Sequence, residues 1–177
     1  MQVNEIITDI EEGLYDPHIF KAVFMAGGPG SGTMEDGYLE GRLGLIIDGT
    51  GRDVTKIAKA KEKLMNMGYS CMMVFVNTSL DIAQERNLDR ERVLPADEVS
   101  SMWNAVQNNI MKFQQLFGAS KFQVVDNNGG LEDPDRAENF KVVEKNITAF
   151  ISRPPSNRYA KAWIENEQKK KSNANNQ

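Results

Sequence analysis

A chain of 177 residues with 40% hydrophobic content matches one average domain, large enough to bury roughly 70% of its unfolded surface without disulfides or a structural metal. Its single Cys71 and single His18 exclude an intrachain disulfide and a His/Cys zinc site, and no apolar stretch approaches the ~18 residues of a membrane span. The net charge of −4 supplies no general attraction for nucleic acid, although it leaves room for a local basic site.

The N-terminus MQVNEIITDIEEG is acidic and has no apolar leader core, which predicts a cytoplasmic protein of a reducing compartment. Within it, Val3, Ile6, Ile7 and Ile10 fall at helical spacing before Gly13 and Asp16-Pro17, so a short helix ended by a turn is expected. Phe20 to Ala26 (FKAVFMA) then reads as a buried strand that runs into a glycine loop, and Leu43 to Asp48 (LGLIID) as a second strand closed by Gly49-Thr50-Gly51. From the N-cap candidate Asp53, Val54, Ile57, Ala60, Leu64 and Met67 predict an amphipathic helix that stops at Gly68. Tyr69 to Val76 is the third strand, with Cys71 inside it as a small buried hydrophobe.

Ser79 to Arg86 reads as helix, and Asn87 to Pro95 as a polar, arginine-bearing loop. Val99, Met102, Trp103, Val106, Ile110, Phe113 and Phe117 predict one long helix ended by Gly118, its apolar stripe in the core. Lys121 to Val125 is a fourth strand. Asp133-Pro134 opens a helix whose stripe Phe140, Val143, Ile147 and Phe150 ends at Pro154-Pro155. Residues 1–153 form one expected domain; residues 154–177, with Lys169-Lys170-Lys171 and SNANNQ, read as a partly disordered tail. Strands alternating with helices imply an α/β fold, a mostly parallel sheet with helices on both faces.

A glycine loop after the first strand of such a fold is a phosphate cradle, because glycines let backbone N–H groups converge on an anion. The dinucleotide pattern G-x-G-x-x-G fails here, since its third glycine would fall on Thr33. The P-loop pattern G-x-x-x-x-G-K-[ST] fits Gly27 and Gly32, so Gly27, Gly28, Pro29, Gly30, Ser31, Gly32 and Thr33 are candidate phosphate-binding residues. Thr33 and Met34 stand where that pattern has Lys and Ser or Thr, so the lysine is missing and Thr33 is the candidate Mg2+ hydroxyl. Only Met34 to Arg42 separates the loop from the next strand, fewer than the ~10–12 residues a parallel crossover needs. A further segment outside the sequence, a deletion, or a different local structure in place of the P-loop helix would each account for it.

Asp48 ends a buried strand, where a carboxylate can serve as a magnesium-holding, Walker-B-like acid. Asp48-Gly49-Thr50-Gly51 also fits the GTPase pattern D-x-x-G, but no N-K-x-D motif follows any strand. Thr50 and Arg52 lie where phosphates of substrate or nucleotide would be met. Arg86, Arg90 and Arg92 occupy a polar segment that can close over a transferring phosphoryl group as a lid, neutralising its charge and excluding water. Lys56, Lys59 and Lys63 share one helical face, which reads as a solvated surface with a basic patch as the alternative. His18 has no partner visible in sequence and is assigned a structural or surface role.

The segments AGGPGSG (26–32), LIIDGTGR (45–52), MVFVNTS (73–79) and ERNLDRERVLP (85–95) resemble the P-loop kinases of the zeta-toxin and polynucleotide-kinase group, especially those of tailed bacteriophages. The likeness runs over about residues 20–127. It implies a P-loop NTPase-like fold and an ATP-dependent phosphotransferase using Mg2+, with Asp48, Arg86, Arg90 and Arg92 as catalytic residues. The acceptor would be a nucleotide sugar, a nucleic-acid end or a small metabolite, and the setting the cytoplasm, that of a host cell for a phage protein. Asn127 and Asn128 stand where such kinases place the adenine-contacting loop. The family pattern also supplies a helix, a second strand with an acidic catalytic base and a substrate-binding segment after the P-loop, and none of these follows Thr33 here. A degenerate, non-catalytic nucleotide-binding module or a phage structural protein is therefore the competing reading. Nothing in the sequence fixes the oligomeric state.

Overall fold

The computed structural model describes residues 18–26, 41–129 and 134–174. The expected N-terminal helix and the glycine loop at 27–33 lie outside the described residues. Four strands, β1 (Lys21–Ala26), β2 (Leu45–Gly49), β3 (Ser70–Asn77) and β4 (Phe122–Asp126), form one sheet in the order β2-β1-β3-β4. Every neighbouring pair is parallel, with Ala26 opposite both Gly49 and Phe75, and Asn77 opposite Asp126. All four strands therefore end at the same edge.

The strands bury both faces, as the two-residue period of a pleated strand requires in a parallel sheet. Ala22, Phe24 and Ala26 of β1 and Cys71, Met73 and Phe75 of β3 share one core. It is covered by Leu64 of α1 (Val54–Asn66), Phe113 and Phe117 of α4 (Ile110–Phe117), and Ala160 of α6 (Arg158–Ala174). On the opposite face, Val23, Met72, Val74 and Val125 pack beneath Val143 and Phe150 of α5 (Pro134–Ile151). The edge strand β2 is covered on one face only: Leu45 and Ile47 pack on the first core, while Ile46 is 78% exposed.

Two boundaries differ from expectation. The apolar stripe from Val99 to Phe117 is carried by two helices, α3 (Ala96–Gln107) and α4, separated by Asn108 and Asn109. At the junction the Asn109 N–H donates to Val106 O, an i→i−3 bond that tightens the turn. Val106 and Ile110 remain four residues apart across the break, so the stripe keeps its phase and hides the junction from a periodicity reading. The second difference is α6, a helix through Ala174 where composition reads as a disordered tail. Most of its polar residues face solvent, and its first turns are anchored by the fully buried Ala160 and by Trp163, whose ring meets Phe20 edge-on at 5.5 Å.

Burial pushes the Cys71 thiol up from the ordinary 9.0 to about 11, with Lys61 and Lys121 acting in the opposite direction. Between those values the unfolded chain has released a proton that the folded chain still holds, so stability falls as pH rises from about 9 towards about 11. Urea midpoints followed from about pH 8 to about pH 10.5 are expected to fall more steeply for the parent chain than for Cys71→Ala, by about 1–2 kcal/mol at the alkaline end. Parallel slopes for the two proteins would contradict the buried thiol.

Candidate functional site

In a parallel sheet the loops leaving the C-terminal strand ends diverge and open a crevice there. Here a cavity of about 310 Å³ lies at that edge. Its floor is Val76 and Thr78 at the end of β3 and Asn127 just after β4. One side is formed by Thr50 and Arg52 in the loop after β2, and another by Arg86 and Asn87 of α2 (Leu80–Leu88) with Arg90 and Leu94 of the following loop. The remaining wall is the apolar face of α3, with Val99, Met102, Trp103 and Val106.

Local chemistry explains why the sequence folds this way around the cavity. Asp53 accepts a bond from the Lys56 N–H at 2.9 Å and so starts α1 immediately after Arg52. Ser79 caps α2 in the same manner through the Ile82 N–H. The β4 loop is stitched to β3, since the Asn127 N–H donates to Asn77 O at 2.9 Å and Asn128 Oδ1 accepts from the Ser79 N–H. Trp103 Nε1 donates to Thr78 O at 2.7 Å, and Gln107 Nε2 to Asn77 Oδ1 at 2.9 Å, which ties α3 to the end of β3.

Electrostatically the cavity is cationic on the two sides that face its apolar α3 wall. Arg86 Nη2 donates to Asn127 O at 2.9 Å, which fixes that guanidinium against the β4 loop. Arg52 Nε lies 3.4 Å from Thr50 Oγ1, and Arg90 lines the cavity from an exposed loop position. Asn127 Oδ1 is buried and has no hydrogen-bond partner among the described residues, so a lining residue offers an acceptor there. Three guanidinium groups, a hydroxyl and this acceptor beside an apolar wall suit a ligand that joins an anionic group to a less polar body carrying a donor.

The structure thus brings together Thr50, Arg52, Arg86 and Arg90 of the residues expected from sequence. Arg92 is exposed and does not line the cavity. Asp48 is exposed on the uncovered face of β2 beside Ile46 and is also outside the lining. Gly27, Gly28, Pro29, Gly30, Ser31, Gly32 and Thr33 are not among the described residues. Among the described residues no group of three acidic, His or Cys side chains could hold a metal ion, and no helix is long and apolar enough to cross a membrane. Lys56, Lys59 and Lys63 are exposed on α1.

Trp103 and Met102, expected in the core, form the cavity wall, while Val106 packs on the core as expected and also lines the cavity. Sequence reasoning also passed over Asn87 and Asn109, which are buried and spend their amides on loop backbone. The one signal available was a polar residue at a position where the helical stripe turns inward.

The zeta toxin family model matches residues 33–139, more than half of the chain, and the chain belongs to the zeta toxin family. The parallel sheet with helices on both faces is accordingly the P-loop NTPase-like α/β fold. The family is one of P-loop kinase-like, ATP-dependent phosphotransferases that typically use ATP and Mg2+. No curated protein and no solved structure matches the chain.

Proposed function

We propose that this zeta toxin family member transfers the γ-phosphoryl group of ATP to an acceptor held at the cavity beside α2 and α3, the acceptor being a nucleotide sugar, a nucleic-acid end or a small metabolite. The observation that carries the reading is the convergence of Arg52, from the loop after β2, with Arg86 and Arg90, from α2 and the loop that follows it, on one cavity at the C-terminal edge of the sheet. Phosphoryl transfer spreads negative charge over the transferred group and its leaving oxygen, so positioned cations are the main catalytic requirement. In this reading Arg52 and Arg90 contact the transferring group and Arg86 holds the β4 loop while offering its remaining N–H groups. Thr50 orients a phosphate oxygen. Arg92, two residues beyond Arg90, closes the outer rim when the acceptor is bound.

The loop at Gly27–Thr33 would cradle the nucleotide phosphates through its backbone N–H groups. The Asn127 Oδ1 acceptor and the guanidinium groups fit a phosphorylated nucleotide. For Mg2+ the candidate ligands are the Thr33 hydroxyl and the Asp48 carboxylate; Asp48 is exposed and among the described residues belongs to no acidic cluster, so no step is assigned to the ion. When bound with the nucleotide, Mg2+ supplies charge neutralisation between the β and γ phosphates. Reliance on ATP and a lone reduced cysteine agree with a cytoplasmic setting.

Incubation with γ-labelled ATP and one acceptor of each class is expected to label one class, and Arg90→Ala to abolish that labelling. Stabilisation by ATP without transfer to any acceptor would instead favour the non-catalytic nucleotide-binding module, a reading supported by Thr33 standing where the P-loop pattern has lysine.

A further inference from the structure

Among the described residues only Lys21, Asn87 and Asn109 are polar or charged side chains in the buried class. Lys21 lies at the start of β1, away from the cavity, with its ammonium 5.2 Å from the Phe150 ring. The two asparagines lie at the bases of the two loops that bring Arg52 and Arg90 to the cavity. A buried amide is costly unless both its donor and its acceptor are satisfied, so where these amides spend their bonds reports what they hold in place.

Asn109, at the α3–α4 junction and 6% exposed, donates from Nδ2 to Gly51 O at 3.1 Å and to Arg52 O at 2.9 Å. Its Oδ1 accepts from Lys112 Nζ at 3.2 Å. Among the described residues the loop after β2 has no strand neighbour beyond Gly49, and these two bonds fasten it across a separation of nearly 60 residues to a helix junction packed on the core. Asn87, 5% exposed, clamps the second loop: Nδ2 donates to Leu94 O at 2.9 Å and Oδ1 accepts from the Leu94 N–H at 3.1 Å. This two-point bond imitates a pair of strands and closes the loop at its base, while the Arg90 N–H donates to Asn87 O at 3.3 Å inside it.

We propose that Asn109 and Asn87 are positioning residues that hold Arg52 and Arg90, respectively, in place at the cavity before any ligand arrives. The proposal rests on the phosphotransferase reading for its consequence, and on the geometry alone for its premise. An arginine on an unrestrained loop must lose backbone freedom when it meets a phosphate, and that entropy is subtracted from affinity. Fastening the loop in the free protein removes most of that cost. An amide is the side chain for the task at both sites, because aspartate would set a carboxylate against the carbonyls of Gly51 and Arg52, or of Leu94, with no donor between them.

The test is a pair of double-mutant cycles read by calorimetric titration of the β,γ-imido analogue of ATP, with circular dichroism to establish that each variant is folded. Asn109→Ala is expected to weaken binding about tenfold in the parent chain and less than about twofold in the Arg52→Ala background, since Arg52→Ala keeps the carbonyl that Asn109 holds. Asn87→Ala is expected to couple in the same way with Arg90→Ala, while the crossed pairs add independently. Asn109→Leu and Asn87→Leu keep side-chain volume without burying a charge and serve if an alanine variant does not fold.

Losses of equal size with and without the partner arginine would overturn the proposal. A second readout does not depend on ligand: amide exchange at Leu94 is expected to accelerate at least about tenfold in Asn87→Ala, and backbone order at 50–53 to fall in Asn109→Ala. Unchanged exchange and order would refute the positioning role even if the analogue binds. Failure of the parent chain to bind the analogue, with loop order lost in both variants, would instead fault the phosphotransferase reading and leave the positioning premise supported.

Discussion

Arg90→Ala is expected to lower phosphoryl transfer by about 10²–10³-fold, the size of effect seen when one preorganised group facing developing charge is removed. Arg90 stands in a loop closed at its base by Asn87 and Leu94, and lines the cavity without contributing to the buried core. The loss should therefore fall on nucleotide affinity as well as on kcat, with melting temperature within about 2 °C of the parent chain. Arg90→Lys should restore little, because an ammonium lacks the planar fork that meets two phosphate oxygens at once. A variant that transfers phosphate within about threefold of the parent chain would remove Arg90 from the site.

Gly51→Ala carries the largest expected structural effect. Gly51 has φ +74°, and a β-carbon there would lie 3.0 Å from Ala26 Cβ and 3.5 Å from Phe113 Cε2. The left-handed backbone costs about 1–2 kcal/mol in a residue with a side chain, and displacing packed neighbours a further ~1–3 kcal/mol. A loss of about 3 kcal/mol, or about 10 °C in melting temperature, follows. Because Ala26 is the last residue of β1 and Arg52 the next after Gly51, Gly51→Ala should also weaken nucleotide binding; a stability loss below about 1 kcal/mol would contradict the close packing of β1 against this turn.

Local pattern revealed most of the fold. The four apolar runs became the four strands, although β2, which reads as buried, exposes Ile46 and Asp48, and the Asp53 cap with its stripe became α1 as expected. What periodicity could not resolve was phase across a break: Val106 and Ile110 keep helical spacing although Asn108 and Asn109 interrupt the helix. Composition misled at α6, where a lysine-rich, polar segment is helical because Ala160 and Trp163 bury one end of it, a tertiary contact that no local window contains.

The site divided along the same line. Arg52 was singled out by its place after a strand end, and Arg86 and Arg90 by the ERNLDRERVLP run that resembles the family; the cavity collects all three. Arg92 belongs to the same sequence run but is separated from the cavity by the course of the loop. Asp48 follows the strand alternation that also exposes Ile46, so its position at a strand end did not determine the face it occupies. Trp103 satisfied a core stripe and a cavity wall equally well, since both demand an apolar face. Asn87 and Asn109 act through backbone atoms far away or across a loop, and such partners leave no residue-type signature in sequence.

The central claim is that the arginine-lined cavity is where the transferring phosphate sits. A crystal structure with the β,γ-imido analogue of ATP and Mg2+ tests it most directly. The account predicts a terminal phosphate within hydrogen-bonding distance of the Arg52 or Arg90 guanidinium, with the analogue running back towards the end of β1. A nucleotide bound elsewhere, with no phosphate at these arginines, would contradict it.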